Sequence, residues 1–185
     1  MSKPHSVAIL DDYQNVSLKF ANWKPIEKYA TIKAFNDTPL SEDELVARLE
    51  PFTIVCTMRE RTRFPASVIK RLPNLKLLTT TGMKNASLDI RAANAQGVVV
   101  AGTGGAGAAT TEHTWGLILG VMRHIAEEDK NTKEGGVWQR TIPTGLKGRT
   151  FGLIGLGYLG QASAKYTVTI QTGTANWVGL QRRLG

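Results

Sequence analysis

Six short apolar or β-branched runs, "SVAIL", "TIKAF", "FTIVC", "LKLLTT", "GVVVA" and "TFGLIG", succeed one another along the chain, separated by stretches with helical spacing or turn residues. This alternation constrains the fold more than any other feature. Runs of this length bounded by turn signals read as strands, and the stretches between them as crossover connections. The runs are nearly continuous in apolar character, the pattern of strands covered on both faces. The expectation is an α/β chain built on a doubly wound parallel sheet with helices on both sides. Two helix signals support it. Ser41 and Glu44 in "PLSEDELVARL" form an S-x-x-E capping box, and a helix over residues 88–95 stops at Gly97, a residue type favoured just past a helix end.

Past Gly107 the pattern changes to one longer helix, "TTEHTWGLILGVMRHIAEEDK". Its apolar positions, among them Trp115, Leu117, Val121 and Ile125, cover more than one face, so it should be buried or sit in a subunit interface. The stretch around Thr111 and Ile125 is thus a candidate homodimer surface. The polar, Gly- and Pro-broken segment after it reads as a loop. The boundary falls between Gly102 and Ala108, giving units 1–105 and 106–185.

With 42% hydrophobic and 21% charged residues the chain reads as globular, with no secretory or membrane-spanning segment, and is expected in the cytoplasm. Cys56 is the only cysteine and reads as a buried structural thiol; no internal disulfide or Cys-rich metal site can form. The net charge of +8 clusters partly between Arg59 and Arg71. No zinc pattern, helix-turn-helix spacing or aromatic interleaving accompanies it, so a solvated basic face is preferred to a nucleic-acid surface. The acidic pair Asp11 and Asp12 after the first strand also occurs in phosphoacceptor receiver domains. Such domains need an Asp ending the third strand and a Lys after the fifth, and neither is present; Asp11 and Asp12 then read as solvated loop residues or helix caps.

The spacing G-x-G-x-x-G occurs twice, at Gly102, Gly104 and Gly107 and at Gly155, Gly157 and Gly160. Each copy follows an apolar run and precedes a possible helix, the setting in which glycines make the tight turn, admit a pyrophosphate and let helix pack on strand. Local sequence favours the second copy, because "FGLIGLGYLG" places apolar residues where strand and helix must pack. The segments "NLKLLTTTGMKNASLDIRAANAQGVVVAGT", "TEHTWGLILGVMR", "GVWQ" and "LKGRTFGLIGLGYLG" together resemble the D-isomer-specific 2-hydroxyacid dehydrogenases, the relatives of phosphoglycerate and glyoxylate/hydroxypyruvate reductases. The likeness runs from about Val7 to Lys165.

The resemblance implies a flavodoxin-like substrate domain followed by the beginning of a Rossmann NAD(P)-binding domain. It implies hydride transfer between NAD or NADP and the CH–OH carbon of a small 2-hydroxy or 2-keto acid. Gly102 to Gly107 would be the interdomain crossing, and Gly155, Gly157 and Gly160, with the backbone N–H groups of Tyr158 and Leu159, would hold the pyrophosphate. Gly82, Met83 and Lys84 would present amides to the substrate carboxylate, and Arg59 either grips that acid or is a plain surface arginine. Glu112 and His113 belong to the long helix and not to a catalytic pair. The family's catalytic histidine, its carboxylate partner and the orienting arginine all lie beyond the glycine turn, where this sequence has no counterpart, so no catalytic residue is assigned. No Asp or Glu follows Glu134, so no carboxylate meets the ribose; that would favour NADP, with Arg182 or Arg183 near a 2′-phosphate, but the tail has no family likeness to support it. The last 20 or so residues read as a foreign ending, with only one strand of the cofactor domain present and poor burial beneath it. The chain is expected to be truncated and inactive alone, or a non-catalytic paralogue that pairs with longer subunits.

Overall fold

The computed structural model describes residues 4–105, 107–169 and 174–178. The chain forms two compact units, Met1–Gly105 and Ala106–Gly185. The first contains β1 (His5–Ile9), α1 (Ser17–Phe20), α2 (Lys24–Glu27), β2 (Ala30–Ala34), α3 (Glu42–Leu49), β3 (Ile54–Thr57), α4 (Ala66–Ile69), β4 (Leu77–Thr80), α5 (Ile90–Ala95) and β5 (Val99–Gly102). Its five strands are all parallel, in the order β2-β1-β3-β4-β5. That is the order of a flavodoxin-like sheet. Ser41 caps α3 as the sequence indicates, its Oγ accepting the Glu44 N–H at 3.2 Å. Asp89 caps α5, and Gly97 beyond it takes φ +77°.

Parallel crossovers are right-handed, so connections stepping from β2 to β3, β4 and β5 in one direction deliver their helices to one face. That face is closed: Ala8, Leu10, Val55 and Leu78 pack with Leu45, Leu49, Val68, Ile69 and Ala93 in one buried cluster. Only the β1 to β2 connection runs the other way. Its helices support a smaller cluster of Val7, Ile9 and Ala30, with Trp23, Ile32, Ile54 and Cys56 partly buried against it. The expectation of two fully covered faces is therefore corrected at β5, where Val99 is 61% exposed. Of the two readings of Asp11 and Asp12, solvated loop residues or helix caps, the first is corrected because both are buried, and the second holds for Asp12. Asp12 accepts the Val16 and Ser17 amides at 3.0 Å each and the Ser17 hydroxyl, capping α1. The Val16 N–H foremost holds its carboxyl below the ordinary range.

The second unit contains α6 (Gly107–Met122), α7 (Ile125–Lys133), β6 (Thr150–Ile154), α8 (Tyr158–Thr169) and β7 (Thr174–Val178). The single long helix expected after Gly107 is two helices, because His124 adopts left-handed backbone (φ 54°, ψ 32°) and restarts the chain at α7. Of the apolar positions on this stretch only Trp115 is buried; Leu117, Val121 and Ile125 are exposed. Trp115 stacks on Phe151 with ring centroids 5.1 Å apart and donates its indole N–H to the Ser163 carbonyl at 3.2 Å. This fastens α6 to β6 and α8. The tail is corrected as well. Instead of ending after one strand, the unit has β7 paired in parallel with β6, from Thr150↔Thr174 to Ile154↔Val178, so β6-α8-β7 is a βαβ unit. Burial under β6 is slight, as expected, with Ile154 89% exposed. Among the described residues no helix is long and apolar enough to cross a membrane.

Candidate functional site

The C-terminal edge of an open parallel sheet is where its loops gather polar groups. In the first unit the loop after β4 carries Gly82, Met83 and Lys84, and the loop after β3 carries Arg59. The fold brings the two together. The Arg59 N–H donates to Thr81 Oγ1 at 3.1 Å, its Nη1 reaches the Thr81 carbonyl at 3.5 Å, and its guanidinium lies against the Gly82 Cα where a Cβ would collide with Nη1. Gly82 also has φ +91°, a backbone region that L side chains rarely adopt. The backbone angle favours glycine there, whereas the Arg59 side chain could swing away from a Cβ. Arg59 itself is at φ +50°, and Glu60 Oε2 sits 3.6 Å from its Nε on the exposed side.

One expected amide donor is already engaged: the Gly82 N–H donates to Thr103 Oγ1 at 3.2 Å. Gly82 thus shapes the loop, and the donors left are the Met83 and Lys84 amides, which meet no acceptor among the described residues. Met83 and Lys84 are both exposed, in a turn suited to an anion. Asn85, to which the sequence reading gave no role, holds this arrangement. It is buried, and its Nδ2 donates to the Arg59 carbonyl at 2.6 Å and to Thr80 Oγ1 at 2.9 Å, while its Oδ1 accepts the Ser87 N–H at 2.8 Å. A polar residue five positions after a strand carries no signal in sequence for partners that arrive from another loop.

In the second unit the turn between β6 and α8 has the geometry that the glycine fingerprint demands. Gly155 is left-handed at φ +91°, Gly157 has nothing within 4 Å of where a Cβ would stand, and a Cβ on Gly160 would strike the Gly155 carbonyl oxygen. Tight turn, open approach and close helix-strand packing are all present. The first amides of α8, Tyr158 and Leu159, have no partner within the helix and point their dipole at whatever sits in front of the turn. The Tyr158 side chain has more of a role than expected, because its ring lies against Gly107 where no Cβ fits. In the other G-x-G-x-x-G copy packing accounts for Gly102, which passes 2.7 Å from the Gly82 carbonyl oxygen, measured from the place its Cβ would take, while Gly104 has nothing within 4 Å. Arg182 and Arg183, weighed for a 2′-phosphate, lie outside the described residues.

The catalytic-domain profile described as D-isomer specific 2-hydroxyacid dehydrogenase matches residues 7–178. The match runs through β7, so the expectation of a foreign ending is corrected up to that point. D-3-phosphoglycerate dehydrogenase of Archaeoglobus fulgidus is 36% identical over 131 residues, covering 69% of this chain and 24% of that protein. Hydroxypyruvate reductase of Thermotoga maritima is 34% identical over 151 residues, covering 76% of this chain and 49% of that protein. A crystal structure of phosphoglycerate oxidoreductase from Vibrio cholerae superimposes with a TM-score of 0.87 at 32% identity, over 96% of this chain and 56% of that one. The chain spans between about a quarter and just over half of the length of these relatives.

Proposed function

Because the chain belongs to the D-isomer specific 2-hydroxyacid dehydrogenase family, we propose that it is the substrate-holding part, with the start of the cofactor-holding part, of an oxidoreductase acting on the CH–OH group of a D-2-hydroxy acid. Residues 1–105 take the substrate and residues 106–185 begin the dinucleotide domain. The observation that carries this reading is the loop after β4, with the unpaired Met83 and Lys84 amides beside the Arg59 guanidinium. The amides hold one end of the substrate carboxylate, and Arg59 and the Lys84 ammonium add charge that orients it. Gly155, Gly157, Tyr158, Leu159 and Gly160 have the turn geometry to hold the pyrophosphate of NAD or NADP, which when bound supplies or accepts the hydride.

Calorimetric titration with hydroxypyruvate or glyoxylate tests the loop. Arg59→Ala is expected to weaken binding about tenfold, the size of a charge-assisted hydrogen bond partly screened by solvent. Arg63→Ala, a change at another exposed arginine of the same basic run, is expected to leave it unaltered. Equal losses in the two variants would show a diffuse basic surface and no cradle.

A second surface supports association. Leu117, Val121 and Ile125 are exposed along α6 and the start of α7, beside Gly116 and Gly120, and edge a groove of about 600 Å³. An apolar stripe of this kind fits a second copy of the chain. Sedimentation analysis should find a dimer that Val121→Glu converts to monomer; an unchanged sedimentation coefficient would remove the groove from consideration.

A further inference from the structure

The sheet of the first unit changes direction between β1 and β3: the chain leaves β1 toward β2 on one side and returns to β3 on the other. In open parallel sheets such a reversal leaves a crevice outside the strand ends that ligands occupy. A cavity of about 470 Å³ lies there, walled by Ile9, Leu10, Val16, Phe20 and Met58. The polar groups around it are already satisfied. Asp11 accepts the hydroxyls of Thr38 at 2.6 Å and Thr62 at 2.9 Å, Asp12 caps α1, and Arg61 donates to the Asp11 carbonyl at 2.8 Å while stacking over the Tyr13 ring. Apart from Gln14 and the rest of the Arg61 guanidinium, what faces the space is apolar. Phe20 is 83% exposed, a large aromatic surface with nothing covering it.

The crevice adjoins the loop described above. Met58 accepts the Thr81 hydroxyl on its sulfur at 3.3 Å and immediately precedes Arg59. Neighbouring parallel strands are about 4.8 Å apart, so the ends of β1 and β4, with β3 between them, are separated by roughly 10 Å. That is about the reach of a 2-keto acid with a branched or aromatic side chain. We infer that the crevice between the ends of β1 and β3 receives the apolar side chain of the substrate while its carboxylate rests on the Met83 and Lys84 amides. The inference rests on the reading of that loop as the carboxylate cradle, and it narrows the substrate to 2-hydroxy or 2-keto acids with bulky apolar side chains.

The test is titration of the isotopically labelled 185-residue chain with pyruvate and with 4-methyl-2-oxopentanoate, followed by NMR. Both acids are expected to shift the Met83 and Lys84 amides. Only the branched acid shifts Phe20 and the Met58 methyl, and it binds about tenfold tighter, because its extra carbons enter an apolar site. Phe20→Ala, at a position too exposed to disturb folding, removes that advantage and leaves pyruvate binding unchanged. Equal affinity for the two acids with Phe20 and Met58 silent overturns the inference and leaves the cradle standing. Silence of Met83 and Lys84 with both acids overturns the cradle, and the inference with it.

Discussion

The 185-residue polypeptide is expected to show no dehydrogenase turnover when supplied with glyoxylate or hydroxypyruvate and either reduced dinucleotide. Reduction of a keto acid needs a group that delivers a proton to the oxygen as the hydride reaches carbon, and loss of such a group alone lowers rates by roughly two to four orders of magnitude. The chain's three histidines do not supply it. His5, the one histidine of the first unit, is at the start of β1, the end of the sheet opposite the Met83 loop. His113 stands on α6. His124 sits 3.4 Å from Glu127, but both are solvent-facing, and that carboxylate is also bonded to Arg140, which is the first cause of its lowered pKa. Among the described residues the Gly155 turn has two strands behind it and little burial, so weak cofactor binding is expected too. A rate near the roughly 10 s⁻¹ of ordinary enzymes would mean that a proton donor has been overlooked.

Trp115→Ala is expected to unfold the second unit and leave the first intact. Among the described residues Trp115 is the only buried apolar side chain after Gly105. Its ring joins α6 to β6 through Phe151 and to α8 through the Ser163 carbonyl, with Tyr166 at 6.4 Å. Removing a buried tryptophan costs about 3–5 kcal/mol, a large part of what a small unit possesses. The Ser163 carbonyl also loses its donor. Hydrogen exchange is expected to collapse toward unprotected rates in α6, β6 and α8 while β1, β3 and β4 keep theirs. Retained protection in α8 would show that the unit is held by something other than this contact.

What could be read from the residues followed local chemistry. The strands of the first sheet, the Ser41 cap and the turn at Gly155 are each written in a few adjacent positions, and the structure places them where those positions point. The misreadings share a different cause. The break at His124 has no glycine or proline to announce it, although Glu127 and Glu128 in the first turn of α7 are the acidic residues that a helix start favours. The strand "TANWV" is five residues long and lies among polar neighbours, so it becomes visible only when β6 is there to pair with it. Asn85 and Thr103 bind loops distant in sequence, and the engagement of the Gly82 amide by Thr103 follows from tertiary contact alone. The partial cover over β5 likewise follows from strand order and crossover hand, not from the apolar run itself.

A crystal of the chain grown with hydroxypyruvate addresses the cradle most directly. The carboxylate oxygens are expected about 3 Å from the Met83 and Lys84 nitrogens, with the Arg59 side chain turned from Glu60 toward the acid. An acid bound elsewhere on the unit, while those two amides remain turned to water in the presence of saturating ligand, would contradict the account.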